Sequence, residues 1–329
     1  MSRRTPAPRR ALVAAALPAA ALLLAACGSS TGPGSATGSS TASSTASGSP
    51  AAAPVSVVAA FYPLEWAAEQ VGGDLVDVTS LTAPGAEPHD LELTPQQVAA
   101  VSDADLVLYI SEFQPAVDDA VAQNADSAVD VAADLEHLAA EAHSHEGEEG
   151  GDHAEEASYD PHVWLDPTNM AAIVTLVGEK LGAADPANAS TYTANAEKAV
   201  AELGTLDAEW KAGTATCTNR DLVVSHEAFG YLAKRYGFEQ VGVSGLSPEA
   251  EPSPARIAEV ADFVRANGVT TIYFETLVDP KVAETVAAET GATTAVLDPL
   301  EGLAEGSSED YLSVMRTNLE TVKAGQGCS

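Results

Sequence analysis

Asp77-Val78-Thr79-Ser80-Leu81 runs directly into Thr82-Ala83-Pro84-Gly85-Ala86-Glu87-Pro88-His89-Asp90, and Thr94-Pro95-Gln96-Gln97 follows. The first run is β-prone. The second is a proline-rich loop holding one histidine. The third combines a Thr cap, Pro at the first helical position and Gln where a capping box places it, so the stretch reads as strand, loop and helix. Upstream, Val55 to Ala60 is an apolar strand ended by Phe61-Tyr62-Pro63, and a helix carrying Leu64, Ala67, Ala68 and Val71 is closed by Gly72-Gly73. Downstream, strands at Asp105 to Ile110 and Ala128 to Val131 continue the βαβα series, which implies a mostly parallel sheet.

From Asp185-Pro186 the period changes. Tyr192, Ala196, Ala199, Leu203, Leu206 and Trp210 recur every three or four residues, as in one long helix with a narrow apolar stripe. The βα alternation then resumes. Leu222 to Ser225 is a strand followed by His226 and a helix through Tyr236, and Glu239 to Val243 is a short strand. Ser253-Pro254 starts a helix ending at Asn267-Gly268, Thr271 to Phe274 is a strand, Pro280 to Thr290 a helix, Thr293 to Leu297 a strand, and a terminal helix begins at Asp310. The expected fold is α/β: two lobes of parallel βα units joined by one long helix, with the site in the cleft between them. Its segments are an export signal at 1–26, a tether at 27–54, a first lobe at 55–184, the linking helix at 185–212 and a second lobe at 213–329. His89, His226, Glu275 and Asp298 all fall just after the carboxyl ends of strands, where open α/β sheets bind ligands.

The other histidines follow a different pattern. Tyr159-Asp160-Pro161-His162-Val163-Trp164-Leu165-Asp166-Pro167 places His162 between two prolines, just before a helix capped by Asp166. Residues 137–156 read HLAAEAHSHEGEEGGDHAEE, where His143, His145 and His153 alternate with Glu and Gly without a hydrophobic period, a composition suited to accessory metal binding. Forty-eight acidic against fifteen basic residues give a net charge of −33, which argues against nucleic acid or anionic lipid as the ligand and is compatible with a cation. Proline fixes φ and restricts its predecessor, so Pro88-His89 and Pro161-His162 present imidazoles on stiffened loops; with His226 they suit a divalent transition metal.

Gly85-Ala86-Glu87-Pro88-His89-Asp90, Asp160 to Pro167, Ser225-His226-Glu227-Ala228-Phe229-Gly230-Tyr231-Leu232 and Leu297-Asp298-Pro299-Leu300 resemble, in order, the four ligand segments of the zinc/manganese substrate-binding proteins of ABC transporters, the ZnuA-like family. The resemblance implies a Zn(II) cargo held by His89 and His162 from the first lobe and His226 and Asp298 from the second. Glu275 or a water is the alternative fourth ligand. It also implies hand-off to a membrane permease with its cytoplasmic ATPase. Manganese members usually carry a carboxylate where this chain has His226, and an imidazole-rich site suits zinc. A manganese-specific member, a metal-storing adhesin and a zinc hydrolase are the competing readings. Against the hydrolase, His226-Glu227 has no second histidine four positions on. Asp90 is a candidate to hydrogen-bond a ligand imidazole. No enzyme activity is expected.

Arg3, Arg4, Arg9 and Arg10 precede an apolar run ending in Leu24-Ala25-Ala26-Cys27, which resembles a bacterial lipoprotein signal with lipidation at Cys27. Residues 28–54 are Ser, Thr, Gly, Ala and Pro, a tether with nothing to bury. The expected location is the extracytoplasmic face of the cell membrane, as a lipid-anchored monomer. The two remaining cysteines, Cys217 and Cys328, are expected to pair in an exported protein.

Overall fold

The computed structural model describes residues 53–124, 126–140 and 157–329. The signal, the tether with Cys27, and His143, His145 and His153 lie outside them. In chain order the first lobe is β1 (Val55–Ala59), α1 (Tyr62–Gly72), β2 (Val76–Ser80), α2 (Pro95–Asp103), β3 (Leu106–Tyr109), α3 (Pro115–Asn124) and β4 (Ala128–Asp130). Then come α4 (Pro167–Ala184) and α5 (Ala189–Thr214). The second lobe is β5 (Asp221–Val224), α6 (Gly230–Tyr236), β6 (Glu239–Gly242), α7 (Pro254–Asn267), β7 (Thr271–Phe274), α8 (Lys281–Thr290), β8 (Thr293–Val296) and α9 (Tyr311–Gly325).

Both sheets are parallel and share one strand order, β2-β1-β3-β4 and β6-β5-β7-β8. The central strands are apolar on both faces, since helices cover each side: Val57 and Val58 of β1, and Leu222 and Val223 of β5, are buried. The helix starts follow the cap chemistry. Thr94 Oγ1 accepts from the Gln97 amide while the Gln97 side chain accepts from the Thr94 amide, so the capping box expected at α2 is formed. Asp166 Oδ1 accepts from the Thr168 amide at 2.7 Å ahead of Pro167, which fixes where α4 begins.

α5 has 26 residues and is about 39 Å long at the α-helical rise. It starts at Ala189 and not at Asp185. Asp185 instead makes a turn, accepting from the Ala187 amide, Asn188 Nδ2 and Tyr192 Oη at 3.2, 2.6 and 3.1 Å. The stripe from Tyr192 to Trp210 is buried. It packs against α1 and α4 toward the first sheet and against α6 and α9 toward the second. The larger apolar cluster runs continuously from β1 through α4 and α5 to α6 and α9, so the lobes share an interior. Trp164 crosses the junction: its Nε1 donates to the Pro299 carbonyl at 2.8 Å and its own carbonyl accepts from Tyr311 Oη at 2.6 Å. The loops after β2, β5 and β8 therefore meet above this shared interior.

Cys217 and Cys328 are disulfide-bonded across 111 residues. The tail is also held by backbone: the Thr218 and Asn219 amides donate to the Gln326 carbonyl at 3.1 and 3.2 Å. Closing so long a loop restricts the unfolded chain, so Cys328→Ser is expected to lower unfolding stability by about 2–4 kcal/mol in denaturant titration. An unchanged midpoint would show that the backbone bonds alone hold the tail.

Candidate metal centre

His89 lies in the loop after β2. Gln114 Nε2 holds that loop by donating to the Pro88 carbonyl and to Thr82 Oγ1, both at 3.1 Å, and the Glu87 carboxylate accepts from the His89 amide at 3.0 Å. Phe113 packs its ring against the His89 imidazole at 4.6 Å. His162 and His226 are fully buried, whereas the His89 side chain keeps 10% of its surface exposed, so His89 marks the side open to solvent.

Each buried histidine is oriented by a carboxylate. Asp160 Oδ1 accepts from the His162 amide at 3.0 Å and lies 2.8 Å from His162 Nδ1. Glu275 Oε1 lies 2.7 Å from His226 Nδ1 and also accepts from the Ser225 hydroxyl. These contacts hold Nδ1 of each ring toward its carboxylate and turn Nε2 toward the cleft.

Glu301 closes the group. Its Oε1 lies 3.4 Å from His89 Nε2, 3.3 Å from His162 Nε2 and 3.3 Å from His226 Nε2, and the two buried Nε2 atoms are 3.4 Å apart. Ligands about 2.0–2.1 Å from a tetrahedral zinc are separated by about 3.3–3.4 Å along the tetrahedron's edges. The three separations from Glu301 and the one between the buried rings match those edges. Among the described residues, His89, His162, His226 and Glu301 are the one group of His, Cys, Asp or Glu whose ligand atoms all fall within 4.8 Å of one another.

The electrostatics follow from crowding these groups in a dry site. Burial would raise the Glu301 carboxyl, but the three imidazoles outweigh it and hold the group well below its ordinary range. Burial likewise opposes charge on His162 and His226. Asp160 and Glu301 raise the first, and Glu275 and Glu301 raise the second well above the usual imidazole value. Burial lowers His89. Glu87 is pushed up to about 7 by burial and by Glu301.

The family model for the periplasmic zinc-uptake complex component A matches residues 57–325. The chain belongs to the ZnuA family. It is 34% identical over 309 residues to the high-affinity zinc uptake system protein ZnuA of Bacillus subtilis, covering 92% of this chain and 93% of that one. It is 36% identical over 280 residues to the zinc-binding lipoprotein AdcA of Streptococcus pneumoniae, covering 82% of this chain but only 55% of AdcA, so it spans about half that relative's length. Among solved structures, the laminin-binding protein Lmb of Streptococcus agalactiae, described as an adhesin with metal-transporting activity, superposes with a TM-score of 0.73 at 34% identity over 83% of this chain and 99% of Lmb. The Zn(II)-bound ZnuA-like domain of S. pneumoniae AdcA superposes with a TM-score of 0.69 at 34% identity, with coverage of 83% and 99%.

Within this ZnuA-family chain the structure brings His89, His162 and His226 together as the motifs anticipate, but the fourth member of the group is Glu301 where Asp298 was expected. Asp298 is occupied in shaping the turn. Its Oδ1 accepts from the Leu300 amide at 2.7 Å, its Oδ2 accepts from Thr276 Oγ1 at 3.1 Å, and Asn318 clasps its backbone on both sides. That turn puts Leu300 at φ 57°, a conformation rare for a branched residue, and so aims the next side chain into the cleft. Glu275 backs His226 and does not belong to the group, and Asp90 is exposed, the role proposed for it being taken by Asp160 and Glu275. The only sequence signal for Glu301 is its position: it is the residue immediately after Leu297-Asp298-Pro299-Leu300.

Proposed function

We propose that the chain is an extracytoplasmic zinc-binding protein that captures Zn(II) and delivers it to the permease of an ABC importer with its cytoplasmic ATPase. It would act as a monomer anchored to the cell membrane through lipid on Cys27. The ligand set is His89, His162, His226 and Glu301, with Asp160 and Glu275 backing the rings of His162 and His226. The observation that carries the reading is the convergence of three Nε2 atoms on one carboxylate oxygen, at 3.3–3.4 Å. Three imidazoles favour zinc over manganese, which prefers oxygen. Four protein ligands complete a tetrahedron and leave no position for a reactive water, which weighs against the hydrolase. His143, His145 and His153 are assigned weaker, accessory binding. The segment boundaries assigned from sequence remain part of the proposal, with the linking helix taken as α5.

The test is metal analysis of protein extracted from membranes of its own host, followed by chelator competition. One zinc per chain that survives a competing chelator, on a protein whose N-terminal peptide carries lipid on Cys27, is the expected result. Manganese as the retained ion, or loss of zinc to a weak chelator, would overturn the reading of the cargo, and an unlipidated N-terminus would overturn the anchor.

A further inference from the structure

Tyr231 is placed where the two lobes could be tied together at the metal centre. It is buried, with 4% of its surface exposed, on the first turn of α6, five residues after His226. Its hydroxyl donates to the Asp160 carbonyl at 2.8 Å and accepts from the Leu138 amide at 3.0 Å. Asp160 and Leu138 are themselves paired, amide to carbonyl, at 2.9 Å, and belong to the two first-lobe segments flanking residues 141–156. The same Asp160 orients His162 through its carboxylate. Gly230 allows the approach, because a Cβ there would come within 2.5 Å of Asp160 Oδ2. One hydroxyl therefore joins the segment that carries His162 to the helix that follows His226.

Resting on the zinc-binding reading above, we propose that Tyr231 is a positioning residue, a clasp between the lobes that sets the spacing of His162 and His226 and so governs how long zinc stays bound. The hydroxyl touches no metal ligand directly. It acts through the Asp160 backbone on one side and the start of α6 on the other. Removing it leaves the Asp160 carbonyl and the Leu138 amide without this partner, which loosens the junction between the His162 segment and α6. Zinc association, which approaches from the solvent side marked by His89, is not expected to depend on the clasp.

The experiment is stopped-flow zinc dissociation and association on the full chain, with Co(II) absorption as the geometric readout. Tyr231→Phe is expected to speed dissociation about ten-fold, leave association unchanged and alter the intensity of the Co(II) ligand-field bands. Lys234→Ala, which removes only the exposed cross-lobe pair with Glu136 at 2.8 Å, is expected to change neither. Wild-type dissociation and Co(II) bands in Tyr231→Phe, with wild-type protein binding zinc tightly, would overturn the clasp. A general softening would instead lower the Tm without changing the bands, and that outcome also overturns it. Failure of the wild-type protein itself to bind zinc would overturn the parent reading, so the two failures are distinct.

Discussion

Glu301→Gln is expected to weaken zinc binding by about 100-fold or more, the upper end of what removing even an outer supporting group costs a metal site, while Asp298→Asn leaves affinity within a few-fold of wild type. Gln keeps the size and the neighbours of Glu301 but withdraws the only negative charge that all three imidazoles face at 3.3–3.4 Å. The buried zinc would then carry its full charge into a site of four neutral ligands. Asn at position 298 retains the oxygen that accepts from the Leu300 amide, so the turn presenting Glu301 persists. Calorimetric titration of both variants decides between the carboxylates. Strong loss in Asp298→Asn with retention in Glu301→Gln would reinstate Asp298 as the ligand.

The fold was legible because both signals that specify it are local. Strand-length apolar runs alternate with capped helices, and the caps at Thr94, Asp166, Ser253 and Asp310 all accept amides as their residue types suggest. The start of α5 was misplaced because Asp185 spends its side chain on the Ala187–Tyr192 turn, a choice sequence patterning does not expose. For the site, proline-stiffened histidines announce themselves. A carboxylate does not, since the chain has 48 acidic residues and nearly any strand end offers one. Choosing Glu301 over Asp298 depends on the turn at Leu300, φ 57°, and on the bonds that engage the Asp298 carboxylate within it. Choosing Asp160 and Glu275 as the groups that back the buried rings depends on contacts of 2.8 and 2.7 Å that only the assembled loops reveal. Roles of that kind belong to three-dimensional proximity and not to any spacing.

Zinc affinity is expected to fall at least ~10-fold for each unit of pH lost below neutrality, with the loss already under way above the ordinary imidazole value of about 6.5. The sign follows from the folded-state shifts. Burial disfavours charge on both buried imidazoles, yet Asp160 and Glu301 raise His162, and Glu275 and Glu301 raise His226 well above 6.5. Both must shed a proton to ligate, and Glu301, held well below its usual range by the same imidazoles, stays ionised throughout and adds no opposing slope. Without metal, the raised imidazoles contribute stability that is fully present below their unfolded value and is lost as pH rises through the folded ones. Zinc-bound protein behaves oppositely, since bound metal stabilises by an amount that grows as the apparent dissociation constant falls. Thermal melts with and without zinc between about pH 6 and pH 8 should therefore diverge as pH rises, the apo curve descending while the loaded one levels off above about 6.5, where ligated and unfolded imidazoles are both neutral. A constant or narrowing gap would mean that Asp160, Glu275 and Glu301 do not charge the imidazoles of the empty cleft. The carboxylates that hold the rings for zinc would then not also be what draws protons in to compete with it.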